Sequence, residues 1–233
     1  MEVAAVDAPL PADGTARPKN FVAEASGSLV HHPRDIAKRD SERKWADDFI
    51  HHHELGGFKR LGMHVGSGGT KNLALKRWPL GHYIELIQKL NRQRPDLAVV
   101  LFGGPDEGRE HEEILAATDR KLVFRAQTGN LRQAAALLQR CDAFLSVDTA
   151  LMHLAAAMRV PRQVVIETPT LNPTNLPYGN DFTVVPNAAV AGRQLEFYRY
   201  DGAGIKGTRE ELLRCMASVR PEAVYEALRS RLD

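Results

Sequence analysis

Several things are missing from this 233-residue chain, and each absence removes a class of protein. Only two cysteines are present, Cys141 and Cys215, too few for a disulfide framework or a zinc site. Cys141 suits the core as a small apolar residue. No apolar run approaches the roughly 18 residues that would span a bilayer, and the acidic N-terminus is unlike a signal peptide. Neither sign of charge dominates: 31 basic against 29 acidic residues leave a net charge of +2, which argues against nucleic acid as the main partner. There is no internal repeat, no GxGxxG and no Walker loop. A cytoplasmic globular protein is expected, at most peripheral to a membrane.

What is present is an alternation. From Arg60 onward, apolar runs of strand length (Leu61–Val65, Leu97–Phe102, Leu122–Phe124, Ala143–Val147, Val164–Glu167, Phe182–Val185) alternate with helical patterns over Leu80–Arg94, Arg109–Thr118, Leu131–Arg140 and Ala150–Met158. This predicts an α/β fold: a Rossmann-like, doubly wound parallel sheet with right-handed crossovers and helices on both faces. Before it, residues 1–40 read as a flexible lead-in, and Ser41–Glu54 as a linker helix ended by Gly56-Gly57. Residues 41–233 form the expected domain. Residues 168–205 make a long irregular connection, and Arg209–Met216 and Pro221–Leu232 close the chain as helices. His51-His52-His53 cannot chelate one ion well, because consecutive helical positions point in different directions.

Three strand ends carry polar chemistry. The first is His64-Val-Gly-Ser-Gly-Gly-Thr70, where Gly66, Gly68 and Gly69 let backbone N–H groups approach a phosphate and Ser67 and Thr70 offer hydroxyls. A bare glycine turn fits the same letters. It is followed by Lys76-Arg-Trp-Pro79, which sets two cations beside a helix start; an anion between them or a solvated pair would each make this tolerable. The second strand end is Phe102-Gly-Gly-Pro-Asp-Glu107, whose acid can accept from ribose hydroxyls or simply cap a helix. The third is Ser146-Val-Asp-Thr-Ala-Leu-Met-His153. Asp148 and Thr149 are good N-caps at a strand's carboxyl end, and His153 shares a helix face with that turn. Together they favour a nucleoside diphosphate site.

In order, His64-x-Gly-Ser-Gly, Lys76-Arg-Trp-Pro, Gly103-Gly-Pro-x-Glu107 and Ser146-x-Asp-Thr-x-x-Met-His153-Leu-Ala resemble the second half of the family 9 glycosyltransferases, the ADP-heptose–lipopolysaccharide heptosyltransferases and their relatives. The resemblance spans roughly residues 41–230. It implies the C-terminal domain of a two-domain GT-B enzyme, binding a nucleotide-sugar donor (ADP-heptose) without a metal or other cofactor and serving a glycolipid or cell-envelope glycan acceptor. Carried over, Gly66, Ser67, Gly68 and Thr70 would touch the diphosphate, and Lys76 would neutralise the leaving group as the catalytic cation. Glu107 would hold the ribose, and Asp148, Thr149, Ala150 and His153 the sugar and phosphate region. Asp148 cannot face the diphosphate without repulsion, so its carboxylate is expected on sugar hydroxyls or backbone N–H groups. Ala150 departs from the glycine often found there. The family's first domain, with its general base, is not matched, and residues 1–40 are too few to make it. The expected function is therefore donor binding for glycosyl transfer, or else a non-catalytic nucleotide-sugar module; a sugar-nucleotide epimerase fragment leaves Lys76-Arg-Trp-Pro without a role. The closing helix carries an apolar face (Val224, Leu228, Leu232) that Trp45 and Phe49 could extend; uncovered, it predicts self-association or a separate partner half, and the alternative is that these helices bury it against the chain's own sheet.

Overall fold

The computed structural model describes residues 40–68, 73–179, 181–197 and 205–232. The lead-in and Thr70 lie outside them. Six parallel strands form one sheet in the order β3-β2-β1-β4-β5-β6. They are β1 (Lys59–His64), β2 (Leu97–Phe102), β3 (Val123–Arg125), β4 (Ala143–Ser146), β5 (Gln163–Ile166) and β6 (Phe182–Val185). The order reverses between β1 and β4, and in open parallel sheets ligands bind outside the carboxyl ends at such a switch point.

Alternation along the strands explains the layering. Leu61, Met63, Val99, Leu101 and Leu145 point to one face, and Val100, Phe102 and Phe144 to the other. The first face is covered by α2 (Leu80–Gln93), α3 (Gly108–Ala117), α7 (Arg209–Ala217) and α8 (Pro221–Leu232). The second is covered by α1 (Asp40–His52), α4 (Leu131–Leu138) and α5 (Ala150–Ala157). Each helix lays one apolar face on the sheet, as in α2, where Tyr83, Leu86, Ile87 and Leu90 are buried together. A short α6 (Gln194–Phe197) interrupts the long connection.

Three expectations change. The closing helix is not uncovered: Val224, Leu228 and Leu232 are fully buried against α2, β5 and β6 of the same chain. Trp45 and Phe49 do not extend that face, since they pack on the opposite side of the sheet near α4. The helix α1 is ended by Glu54 in the left-handed region, φ 55°, leaving Gly56 and Gly57 to a following 3₁₀ turn. His53 packs its ring against Phe49 and Phe124 at centroid distances of 4.5 and 5.0 Å. Cys141 is buried, and burial pushes its thiol up to about 12.

Candidate functional site

The carboxyl ends of β1, β2 and β4 bring most of the sequence-predicted residues together. After β1 the chain runs through Gly66-Ser67-Gly68. A Cβ on Gly66 would run into Glu107 Oε1 and come within 2.7 Å of His64 Nε2, so any larger residue there forces one of these side chains to move. Gly68 takes a left-handed φ of 81°. The backbone N–H groups of Gly66, Ser67 and Gly68 find no acceptor among the described residues, as an anion cradle requires. The hydroxyl of Ser67 is turned inward and donates to the carbonyl of Leu73 at 2.6 Å, tying this loop to the 3₁₀ turn Leu73–Lys76.

That turn delivers Lys76 into the interior. Its ammonium donates to Asp148 Oδ2 at 3.0 Å, with side-chain exposures of 7% for Lys76 and 11% for Asp148. Asp148 Oδ2 also accepts from Thr170 Oγ1 at 2.8 Å and from Asn175 Nδ2 at 3.2 Å. Of the two partners expected for this carboxylate, sugar hydroxyls or backbone N–H groups, the chain supplies neither at Oδ2, which instead takes a cation and two side-chain donors. An ammonium at this depth is costly without a counter-charge, and Asp148 supplies one. Thr149 caps α5 by accepting from Met152 N, and its hydroxyl also meets His64 Nδ1 at 3.2 Å. Burial, with His111 and Arg77 nearby, depresses His64 to about 4, so its ring is neutral at pH 7. Ala150 is exposed at the first turn of α5. His153, one turn on, faces the ring of Tyr178 at 6.3 Å.

Glu107 is drawn in from the other side. Its Oε2 accepts from Gly104 N at 2.9 Å, closing a tight 3₁₀ turn over Pro105–Glu107, and its Oε1 meets Arg77 at 3.3 Å. Arg77 also binds Glu110 at 2.8 Å, so the protein itself provides the anions this cation needs. Beside this turn a cavity of about 330 Å³ opens between His64, Gly103, Gly104, Asn130, Leu131 and Leu151. A larger cleft of about 650 Å³ lies by Asp47, His51 and Arg140, at the amino ends of β1 and β4, where this fold class does not place its ligands. Thr170 and Asn175 carried no sequence signal beyond sitting in a long loop. Among the described residues no group of three or more His, Cys, Asp or Glu side chains is placed to hold a metal ion, and no helix is long and apolar enough to cross a membrane.

A doubly wound parallel sheet whose switch point carries a glycine-rich loop, a buried Lys76–Asp148 pair and Glu107 at its carboxyl edge defines the Rossmann-like class of α/β domains. The comparisons narrow it. The family model described as "Glycosyltransferase family 9 (heptosyltransferase)" matches residues 25–195, and the chain belongs to that family. It is 30% identical over 161 residues to lipooligosaccharide heptosyltransferase 2 of Haemophilus influenzae, covering 67% of this chain and 43% of that protein. Over 90 residues it is 40% identical to lipopolysaccharide heptosyltransferase 2 of Escherichia coli, covering 37% of this chain and 25% of that one. Among solved structures, the E. coli ADP-heptose LPS heptosyltransferase II superposes with a TM-score of 0.58 at 24% identity, covering 83% of this chain and 52% of that chain. A family 9 glycosyltransferase from Veillonella parvula gives 0.63 at 21%, with the same coverages. The fold is thus that of the heptosyltransferases, and the chain spans about half the length of the relatives it matches.

Proposed function

We propose that this chain is the donor-binding, C-terminal domain of a family 9 glycosyltransferase, taking a nucleoside diphosphate sugar of the ADP-heptose kind for transfer to a lipopolysaccharide or other cell-envelope glycan. The Lys76–Asp148 pair at the switch point carries this reading. Among the described residues Lys76 has Asp148 as its single hydrogen-bond partner, so two of its three N–H donors are free for phosphate oxygens. Asp148 Oδ1 has no partner among them and is not sealed from solvent, so it is free for a sugar hydroxyl. Glycosyl transfer breaks the bond between the anomeric carbon and the diphosphate oxygen, which leaves negative charge on the departing diphosphate. A fixed ammonium and the Gly66–Gly68 amides at that point lower the barrier, because they need no reorganisation as charge develops. Glu107 retains acceptor capacity for ribose hydroxyls, and the 330 Å³ cavity beside it suits the base. The acceptor and the general base belong, on this reading, to the other domain of the two-domain arrangement.

Calorimetry with ADP and ADP-heptose tests it. Binding of the sugar nucleotide is expected without added divalent metal, and Lys76→Ala should weaken it by about 1.5–3 kcal/mol, the worth of charge-assisted hydrogen bonds. Absence of binding to any nucleoside diphosphate sugar, or an affinity unmoved by Lys76→Ala, defeats the assignment. Radiolabelled transfer to a lipopolysaccharide acceptor, assayed with the rest of the enzyme supplied, separates a transferase from a binding module.

A further inference from the structure

The connection between β5 and β6 holds no regular structure through its first dozen residues, yet it is tied together side chain by side chain. Asn172 Nδ2 and Asn175 Nδ2 both donate to the carbonyl of Thr170, at 3.1 and 3.0 Å. Asn175 Oδ1 accepts from the N–H of Asn172 at 2.7 Å, and Asn172 Oδ1 accepts from the N–H of Thr174 at 2.9 Å. Thr168 and Thr170 share a hydroxyl contact at 3.2 Å, both buried. Pro169, Pro173 and Pro177 fix φ along the same stretch and remove three backbone donors. So restrained, the segment presents two donors to one atom: Thr170 Oγ1 at 2.8 Å and Asn175 Nδ2 at 3.2 Å, both on Asp148 Oδ2, the oxygen that also holds Lys76.

We propose that Thr170 and Asn175 are positioning residues for donor recognition: by saturating Asp148 Oδ2 they orient the carboxylate so that its other oxygen and the Lys76 ammonium read sugar and phosphate together. This rests on the donor-site reading given above. The physical content is in the asymmetry of the carboxylate. A carboxylate with one oxygen taking three donors and the other taking none cannot rotate without losing all three, since the loop that carries two of them is itself fixed. The free oxygen then keeps one direction, and the lysine, drawn to the occupied oxygen, keeps another. A ligand with a hydroxylated sugar on its terminal phosphate satisfies both. A free nucleoside diphosphate satisfies the lysine and leaves Asp148 Oδ1 facing added phosphate charge, a repulsive contact. Fixing Asp148 thus raises the preference for intact donor over spent nucleotide, which also favours release of the product.

The readout is the ratio of the ADP to the ADP-heptose dissociation constants, measured by calorimetry on the whole chain. Thr170→Val keeps the β-branched shape and removes only the hydroxyl. It should weaken ADP-heptose about tenfold and ADP less than about threefold, shrinking the ratio, in line with loss of a hydrogen bond to a charged group. Thr170→Ser should restore the ratio. Asn175→Ala, at a half-buried position, should act in the same direction and carries the test should Thr170→Val fail to fold. A ratio unchanged in folded variants, or equal losses for both ligands, overturns the positioning role while leaving donor binding standing. A wild-type chain that binds neither ADP nor ADP-heptose overturns both.

Discussion

Lys76 and Arg77 are neighbours in the sequence and have opposite fates. Arg77 is engaged within the protein: its guanidinium bridges Glu107 and Glu110 while its buried Nε meets no partner, and Glu107 takes the Gly104 N–H, so the segment after β1 is clamped to the turn after β2. Lys76 is buried more deeply, yet among the described residues two of its donors and one oxygen of its carboxylate partner meet no hydrogen-bond partner. The contrast follows from the head groups. A planar guanidinium spreads its donors in a fork that two carboxylates can occupy at once, whereas an ammonium is a point charge that one oxygen can anchor without exhausting it. A pair of cations at a helix start is therefore a clamp and, on the proposed donor-site reading, a reader side by side.

Removing one partner at a time breaks or sharpens that division. The largest expected effect is Asp148→Ala, which leaves the Lys76 ammonium buried without a counter-charge and should cost about 3–5 kcal/mol in urea denaturation; a loss under about 1 kcal/mol would mean that Lys76 reaches water once released. Acidification comes next, through His64, which sits between the two arms, against Thr149 on one side and close to Arg77 on the other. Its folded value of about 4 lies below the ordinary 6.5, so the unfolded chain binds the proton first. Stability from this group is therefore complete above pH 6.5 and is lost as pH falls towards 4, by about 3 kcal/mol. Thermal melts across that window should show the loss in the wild type and a flatter profile in His64→Asn. Gly66→Ala should follow at about 1–3 kcal/mol, because the new methyl meets Glu107 and His64 and one of them must move; an undiminished melting temperature would contradict the close approach. The smallest is Arg77→Gln, about 1 kcal/mol, since the amide can still donate to Glu107, which retains the Gly104 N–H, and Glu110, the more open partner at 28% side-chain exposure, reaches water. Its nucleotide affinity should change far less than that of Lys76→Ala, and an equal loss would erase the distinction between the two cations.

Much of this was legible in the chain. Six apolar runs alternating with helical spacing gave a parallel sheet, and glycine, serine, aspartate and threonine at three strand ends fall together at its carboxyl edge, where the candidate site lies. Strand bounds moved only slightly, as at β3, which begins at Val123 rather than Leu122. The partnership of Lys76 with Asp148 was not legible, because 72 residues separate them and their meeting depends on β1 lying beside β4. Thr170 and Asn175 were invisible for a related reason: an irregular loop has no periodicity from which side-chain direction can be inferred. The closing helix shows the limit of apolar spacing, for Val224, Leu228 and Leu232 announce a covered face but do not say whether a partner or the chain's own sheet covers it.

That helix has one more consequence. A parallel sheet ends in two strands whose outer backbone groups could accept a strand from another molecule. At the β6 end, Arg231 of α8 reaches down to Thr183 at 2.8 Å and to Asp181 at 3.0 Å, and Lys59 grips the carbonyl of Leu232, so the last turn of the helix is stapled to the sheet. At the other end β3 is three residues long and ends on Arg125, which pairs with Glu112. A charged staple on one border and a stub on the other leave little template for cross-chain β-pairing, the first step towards amyloid-like stacking. A domain whose strand ends are, on the proposed reading, kept open for a donor is in this way guarded along its sides.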